Sequence, residues 1–266
     1  MNIGIVGCGG RMGRMLIETV MATDGAALAG GTEQAGSPFV GQDLGLLVGS
    51  KTVGAVVMDD ARALFDASDV VIDFTVPAAT AAHAALAFDT RTAMVIGTTG
   101  LSPEQQSAVQ GGSETAAIVQ AGNMSLGVNL LVGLARQAAD LLGPDYDIEI
   151  VEMHHKHKID APSGTALMLG KAAAEGRGID HDANAVLSRE GHTGARPDQA
   201  IGYATLRGGD VVGDHTVIFA GPSERIELTH RASSREIFAR GAVRAAMWCE
   251  GRAPGLYSMR DVLGLT

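Results

Sequence analysis

Cysteine is nearly absent, with Cys8 and Cys249 the two in 266 residues. Two cannot build a disulfide framework, so a reducing compartment, the cytoplasm, is the expected setting. No apolar run approaches the ~18 residues of a membrane span. The first residues, Met1-Asn2-Ile3-Gly4-Ile5-Val6, lack the basic stretch and apolar run of a signal peptide and read as a strand. Positive charge is in deficit, 20 Lys and Arg against 30 Asp and Glu, for a net charge of −10. That balance argues against a nucleic acid or an anionic membrane as partner. Low-complexity tracts are missing and no period of about 20–50 residues repeats, which excludes disordered, fibrous and solenoid chains. Glycine is what abounds: 36 of 266 residues, nearly twice the usual ~7%. Without collagen-like periodicity, that surplus points to tight turns and close backbone approaches, as in α/β enzymes. The length suits two domains of about 100–200 residues each.

Strand and helix patterns alternate through the first half. Ile3 to Val6 is short, β-branched and apolar, and glycines follow at once. Met12, Met15, Leu16, Thr19 and Val20 then recur at helical spacing. Ala26 to Ala29, Asp69 to Phe74, Ala93 to Ile96 and Ala116 to Val119 read as further strands. Helices are predicted around 60–67 and 78–88, and from Ser102-Pro103-Glu104, a serine cap with proline just inside. This alternation predicts an α/β fold with a doubly wound parallel sheet of the Rossmann type. The pattern changes near residue 125. One long helix is expected over Leu126 to Leu142, stopped by Gly143-Pro144, then an alternating strand from Asp147 to Glu152 with one wet face. A helix over Gly164 to Glu175 and glycine-punctuated strands at 201–206, 216–219 and 224–228 predict an antiparallel or mixed sheet. The expected division is a first domain of residues 1–125 and 236–266, the last helix returning to it, and an α+β domain of residues 126–235.

Glycines 7, 10 and 13 follow a strand and open a helix. A tight turn, amides facing a pyrophosphate and close helix–strand packing each call for glycine there. The spacing is G-x-x-G-x-x-G with an extra Gly9, a departure from the usual G-x-G-x-x-G. Glu33, twenty residues beyond Gly13, is placed to accept both ribose hydroxyls of adenosine. A structural glycine turn beside a surface glutamate is the competing reading. Gln34 follows Glu33 and no Lys or Arg occurs until Lys51. NADH is therefore the expected cofactor, with NADPH as the alternative should Arg11 or Arg14 reach a 2′-phosphate. Cys8 reads as a small residue in a tight loop. Gly97-Thr98-Thr99-Gly100 and Asp73-Phe74-Thr75-Val76-Pro77 end strands, where ligands sit in doubly wound sheets; an ordinary turn is the alternative for each.

His154-His155-Lys156-His157-Lys158 places up to five positive charges in succession inside an acidic chain, whose residues 1–125 hold five basic and twelve acidic side chains. A lone cationic cluster in such a protein suggests a small anionic ligand. Just beyond it, Pro162-Ser163-Gly164-Thr165 opens a helix whose first amides suit a carboxylate. Histidine and lysine also supply protons. A solvated basic loop and a His154-x-x-His157 metal pair compete with this reading. Neither an H-E-x-x-H helix nor a cysteine pair supports a metal, and none is expected. Asp160 is a candidate partner for Lys158 or a backbone amide.

With these motifs the chain resembles the 4-hydroxy-tetrahydrodipicolinate reductase (dihydrodipicolinate reductase) family of bacterial lysine and diaminopimelate synthesis. The resemblance runs through Gly7 to Gly13, Asp73-Phe74-Thr75, Gly97 to Gly100, Asn123 to Val128, Glu152 to Ala166, His230 to Arg235 and Met259 to Leu263. That is essentially the whole chain, and the block from His154 to Ala166 is its specific part. It implies NAD(P)H-dependent reduction of 4-hydroxy-tetrahydrodipicolinate to tetrahydrodipicolinate with loss of water. It also implies a homotetramer, with a dinucleotide-binding domain and a 126–235 domain that binds the small dicarboxylate and builds the tetramer. By this resemblance His154 is the general acid/base and Lys158 a proton donor, while His155, Ser163, Gly164 and Thr165 bind the substrate carboxylates. Gly7, Cys8, Gly9, Gly10, Arg11, Met12, Glu33, Gly97, Thr98, Thr99, Ala121, Gly122, Asn123 and Met124 would line the cofactor. Two positions depart from the family's pattern. Gln34, often arginine in NADPH users, weakens the case for NADPH; Met124, often phenylalanine, bears on packing near the nicotinamide. Competing assignments are a two-domain amino-acid dehydrogenase, a dinucleotide sensor without chemistry and a metal hydrolase.

Overall fold

The structure is a computed structural model that describes residues 1–265. Two compact units divide the chain: Met1–Ser125 with Glu236–Gly264, and Leu126–Arg235 with Leu265.

The first unit runs β1 (Asn2–Val6), α1 (Arg11–Met21), β2 (Ala27–Thr32), α2 (Leu44–Leu47), β3 (Val57–Met58), α3 (Ala61–Asp66), β4 (Val70–Asp73), α4 (Pro77–Thr90), β5 (Ala93–Ile96), α5 (Pro103–Gly112) and β6 (Ala117–Gln120). Consecutive residues such as Val70, Val71 and Ile72 are all buried, as strands covered on both faces require. The helices start where the sequence supplies a cap. Asp60 accepts the Ala63 N–H, and Ser102 and Gln105 form a reciprocal capping box at α5. Pro77 opens α4, where a missing N–H costs nothing.

The second unit begins with α6 (Leu126–Leu142), ended by a 3-10 turn over Gly143–Asp145. Then come β7 (Asp147–His154), α7 (Gly164–Arg177), α8 (His181–Asn184), β8 (Ala185–Val186), β9 (Ile201–Arg207), β10 (Gly213–Gly221) and β11 (Glu224–Ala232). The sheet order is β11-β10-β7-β9-β8. β10 is antiparallel to both neighbours, and β7, β9 and β8 are parallel, so the sheet is mixed. Leu131 and Ala135 of α6 and Leu169 and Ala173 of α7 pack with Ile148, Ile150, Tyr203, Val217 and Phe219 as one core.

The chain then returns to the first unit with α9 (Glu236–Trp248), β12 (Gly255–Tyr257) and α10 (Met259–Leu263). α9 packs on α1, β4 and β5, and β12 pairs parallel with β6. The completed sheet has seven parallel strands in the order β12-β6-β5-β4-β1-β2-β3. This is the Rossmann-type doubly wound sheet, accompanied by the α+β unit, that the alternation predicts. Neither β3 nor β12 is foreseen from the sequence, because two or three residues carry no periodicity. The wet face expected for β7 is real at Asp147, which is exposed, but Glu152 is not on it. Glu152 is in phase with Ile148 and Ile150, so it points to the buried side.

Candidate active site

The carboxyl ends of β1, β2, β4, β5 and β6 share one edge of the parallel sheet, whose order reverses between β1 and β4. Ligands of doubly wound sheets bind at that edge. Gly7 adopts a φ of +68°, open to glycine at little cost, and the Gly7 and Cys8 N–H groups both donate to Thr32 O at the end of β2. A side chain at Gly13 would lie 2.6 Å from Cys8 Cα, so glycine lets α1 close on the loop. Gly10 is the N-cap of α1 and offers no side-chain acceptor. The first amides of that helix, at Arg11 and Met12, therefore keep the positive dipole end for an anion. Glu33 stands beside them: its Oε1 accepts the Gly9 N–H at 2.8 Å. These residues fit a dinucleotide, with amides for the pyrophosphate and a carboxylate for the ribose.

Arg14 is committed elsewhere. Its guanidinium donates to Gly9 O and Leu47 O, at 3.1 and 3.2 Å, and lies 5.2 Å over the Phe39 ring. Arg11 is exposed. Cys8 is fully buried, and burial, reinforced by the Glu33 charge, pushes its thiol up to about 12. Its side chain is inert.

The strand-end loops at 73–77 and 97–100 are joined through a buried carboxylate. Asp73 Oδ1 accepts the Thr75 N–H and hydroxyl, at 2.8 and 2.6 Å, and the Thr98 hydroxyl at 3.2 Å. Its Oδ2 lies 2.8 Å from His83 Nδ1, and the Thr80 hydroxyl donates to Thr98 at 2.9 Å. Burial alone would raise the Asp73 pKa, but the bonds from His83 and Thr75 outweigh it and hold the group below its ordinary value. The Thr98 side chain is thus engaged inside the protein, while Thr99 beside it is exposed. Gly97 is half-buried. After β6, Ala121 and Asn123 are half-buried and Gly122 exposed, with Asn123 Oδ1 accepting the Ser125 N–H. Met124 is 1% exposed, and Gly241 of α9 packs against its carbonyl. Its side chain is a core residue of the first unit.

In the second unit the cationic loop leaves β7 and is pinned by its own backbone. His155 N–H donates to Val211 O, Lys156 N–H to Gly209 O and Lys158 N–H to His155 O. Lys158 Nζ is 2.8 Å from Asp160 Oδ1. His154 is 8% exposed, with Nδ1 2.6 Å from Glu152 Oε2. Glu152 in turn takes both arms of Arg207, at 2.7 and 2.9 Å, and the Ser163 N–H at 3.0 Å. Burial lowers the His154 pKa; Glu152 opposes this, while Lys158 and Arg207 add to it, and the net direction is down. Burial would raise Glu152, yet its bonds from Arg207, His154 and Ser163 hold it low. The resting site therefore carries an ionised Glu152 beside a neutral imidazole.

Ser163 caps α7, accepting the Ala166 N–H, and its hydroxyl meets His215 Nε2 at 3.0 Å. At 2% exposure its side chain is fully engaged in this cap. After it come Gly164, exposed, and Thr165, half-buried, whose amides begin the helix. His155 is half-buried, with its ring 6.3 Å from that of His157. Among the described residues no group of three or more His, Cys, Asp and Glu is arranged to hold a metal ion. Sequence reasoning missed Glu152, Arg207 and His215 around His154. For Glu152, its phase with Ile148 and Ile150 is a usable signal. A cleft of about 630 Å³ opens at the opposite edge of the first unit's sheet, beside Asp69, Thr92 and Ala117; none of the groups above lines it.

Two family models match the chain: dihydrodipicolinate reductase, N-terminus, over residues 1–124, and dihydrodipicolinate reductase, C-terminus, over residues 127–263. The chain belongs to the dihydrodipicolinate reductase family. A 4-hydroxy-tetrahydrodipicolinate reductase from Afipia carboxidovorans is 57% identical over 265 residues, spanning 100% of this chain and 97% of that protein. One from Brucella abortus is 54% identical over 266 residues, covering 100% and 99%. A dipicolinate-bound dihydrodipicolinate reductase from Paenisporosarcina sp. TG-14 shares the fold, with a TM-score of 0.78, 24% identity and 98% coverage of each chain. Across the family's two matched segments, the glycine loop falls in the N-terminal part and the His/Lys loop in the C-terminal part.

Proposed function

We propose that this chain reduces 4-hydroxy-tetrahydrodipicolinate to tetrahydrodipicolinate, with loss of water, in lysine and diaminopimelate biosynthesis. The observation that carries the reading is whole-length identity above one half with reductases of that name. A reduced nicotinamide nucleotide, when bound, supplies a hydride to the conjugated imine ring left by loss of water. Every other part of the chemistry belongs to the chain's own groups. The first amides of α1, at Arg11 and Met12, receive the pyrophosphate beside the turn of Gly7 to Gly10, and Glu33 the adenosine ribose. His155 and the first amides of α7, at Gly164 and Thr165, hold the substrate's carboxylates. The ring gains an electron pair with the hydride, and a proton from Lys158 or from His154, the acid/base, completes the reduction. One positioned proton donor contributes roughly 10²–10⁴-fold in rate.

Glu33 favours NADH, because its carboxylate accepts ribose hydroxyls and repels a 2′-phosphate. The engagement of Arg14 with Gly9, Leu47 and Phe39 supports the same preference, since it removes one of the two cations within reach. The working form is proposed as a cytoplasmic homotetramer. Val151, Met153, Ile218 and the 50%-exposed Leu206 give the second unit's sheet a half-exposed apolar face suited to a second copy. Among the described residues no helix is long and apolar enough to cross a membrane.

Initial rates with 4-hydroxy-tetrahydrodipicolinate, measured with NADH and NADPH separately, test the reading. Oxidation of NADH that depends on this substrate is expected. No turnover with either nucleotide overturns the function, and a clear advantage for NADPH overturns the role of Glu33.

A further inference from the structure

The inner face of β7 carries Ile148 and Ile150 and then, in the same phase, Glu152 and His154. A carboxylate 1% exposed is costly in a core unless every lone pair is met. At Glu152 they are met from three elements: Arg207 of β9, the Ser163 N–H before α7, and His154 Nδ1 on its own strand. Strand register delivers these partners, since His154 pairs with Arg207 across β9 and Glu152 with His215 across β10. An ionised carboxylate only accepts hydrogen bonds, so Nδ1 must carry the hydrogen and Nε2 the lone pair. Nε2 is also kept clear. A Cβ at Gly213 would stand 2.9 Å from it, and glycine leaves that space open.

We propose that Glu152, locked by Arg207, is a positioning residue: it holds His154 as the Nδ1–H tautomer and presents Nε2 as the nitrogen that exchanges a proton with substrate. This role rests on the reading of His154 as the acid/base. With a proton on Nε2 the imidazolium is balanced by Glu152, and after transfer the ring returns to the neutral Nδ1–H form without moving. The groups facing His154 are Glu152 on β7, Arg207 on β9, Lys158 with Asp160 in the following loop, and His215 on β10 with His230 beyond it on β11. Of these, Glu152 is the anion in direct contact with the ring, so it sets both the tautomer and how readily the ring accepts its second proton.

Glu152→Gln tests the proposal at constant shape, because its amide donates to Nδ1 and moves the ring hydrogen to Nε2. In 15N spectra of histidine-labelled protein, His154 is expected as Nδ1–H in the unmodified chain and as Nε2–H in the variant. kcat should fall roughly 10²-fold, with little change in KM for the dicarboxylate. The alkaline decline of kcat/KM should move to lower pH, because the imidazolium loses its counter-charge. Glu152→Asp, which keeps the charge, should recover part of the rate. An Nε2–H tautomer in the unmodified chain overturns the proposal even if the variant does not fold. His154→Ala separates the two layers. If it turns over normally, the acid/base reading itself fails; if it is slow while Glu152→Gln matches the unmodified chain, only the positioning role fails.

Discussion

His215 Nε2 meets the Ser163 hydroxyl at 3.0 Å, which ties the start of α7 to the middle of β10. The serine oxygen also accepts the Ala166 N–H, so one hydroxyl joins the helix cap to the imidazole. His215 Nδ1 is buried without a hydrogen-bond partner, and burial favours the neutral ring. Its ring also stands edge-on to His154, with centroids 5.0 Å apart. The helix start proposed to hold carboxylates and the imidazole proposed to move protons are thus braced by one uncharged side chain.

That bracing has an acid limit. Burial, with the neighbouring His154, pushes His215 from 6.5 down to about 4. Between those values the unfolded chain binds a proton here that the folded chain does not, so stability falls as pH falls from 6.5 toward 4. The span corresponds to about 3 kcal/mol. Urea midpoints measured across this window should drop, and His215→Gln should flatten the drop. An unchanged slope in the variant assigns the acid sensitivity elsewhere.

Lys158→Ala should lower kcat by roughly 10²–10⁴-fold. NADH affinity should persist, because the nucleotide-binding groups lie in the other unit. Stopped-flow reduction with excess NADH, alongside fluorescence titration of the nucleotide, separates the two effects. Turnover near the unmodified rate removes Lys158 from the chemistry.

Glu33→Ala should weaken NADH binding about 10-fold or more, the worth of a hydrogen bond to a charged group. NADPH binding should change less, because its 2′-phosphate gains nothing from a carboxylate. Calorimetric titration with both nucleotides reads the difference. Equal losses for the two show that Glu33 does not read the ribose.

Asp73→Asn keeps the shape of the buried side chain but replaces one acceptor oxygen by a donor. Loss of the charged acceptor facing His83, and the weaker bonds left for Thr75 and Thr98 on a neutral oxygen, should cost roughly 1.5–3 kcal/mol in urea unfolding. Both strand-end loops depend on this group, so NADH affinity should fall with it while KM for the dicarboxylate stays close to normal. If stability drops and NADH affinity does not, the network is structural alone.

The parallel sheet is legible in the sequence because strands covered on both faces are unbroken apolar runs, as at Val70 to Ile72. Helix starts are legible where a cap is local, as at Ser102 and Ser163. β12 is not, since pairing with β6 and not any pattern in Gly255-Leu256-Tyr257 makes it a strand. Local chemistry likewise marks His154 and Lys158, by charge density alone. It does not say that Cys8, Thr98, Met124 and Ser163 are buried, because burial is set by elements far away along the chain.

From the order of residues alone come the class of fold, the glycine turn with Glu33 behind it, and a cationic loop leading into a capped helix; all depend on neighbours a few positions apart. The surroundings of His154 come only from the folded sheet. Arg207 and His215 stand dozens of residues away along the chain, and strand register brings them, with Glu152, around one imidazole. Burial, which no spacing encodes, makes the desolvated ring neutral, and the hydrogen bonds from Arg207, His154 and Ser163 keep the carboxylate charged against that same burial.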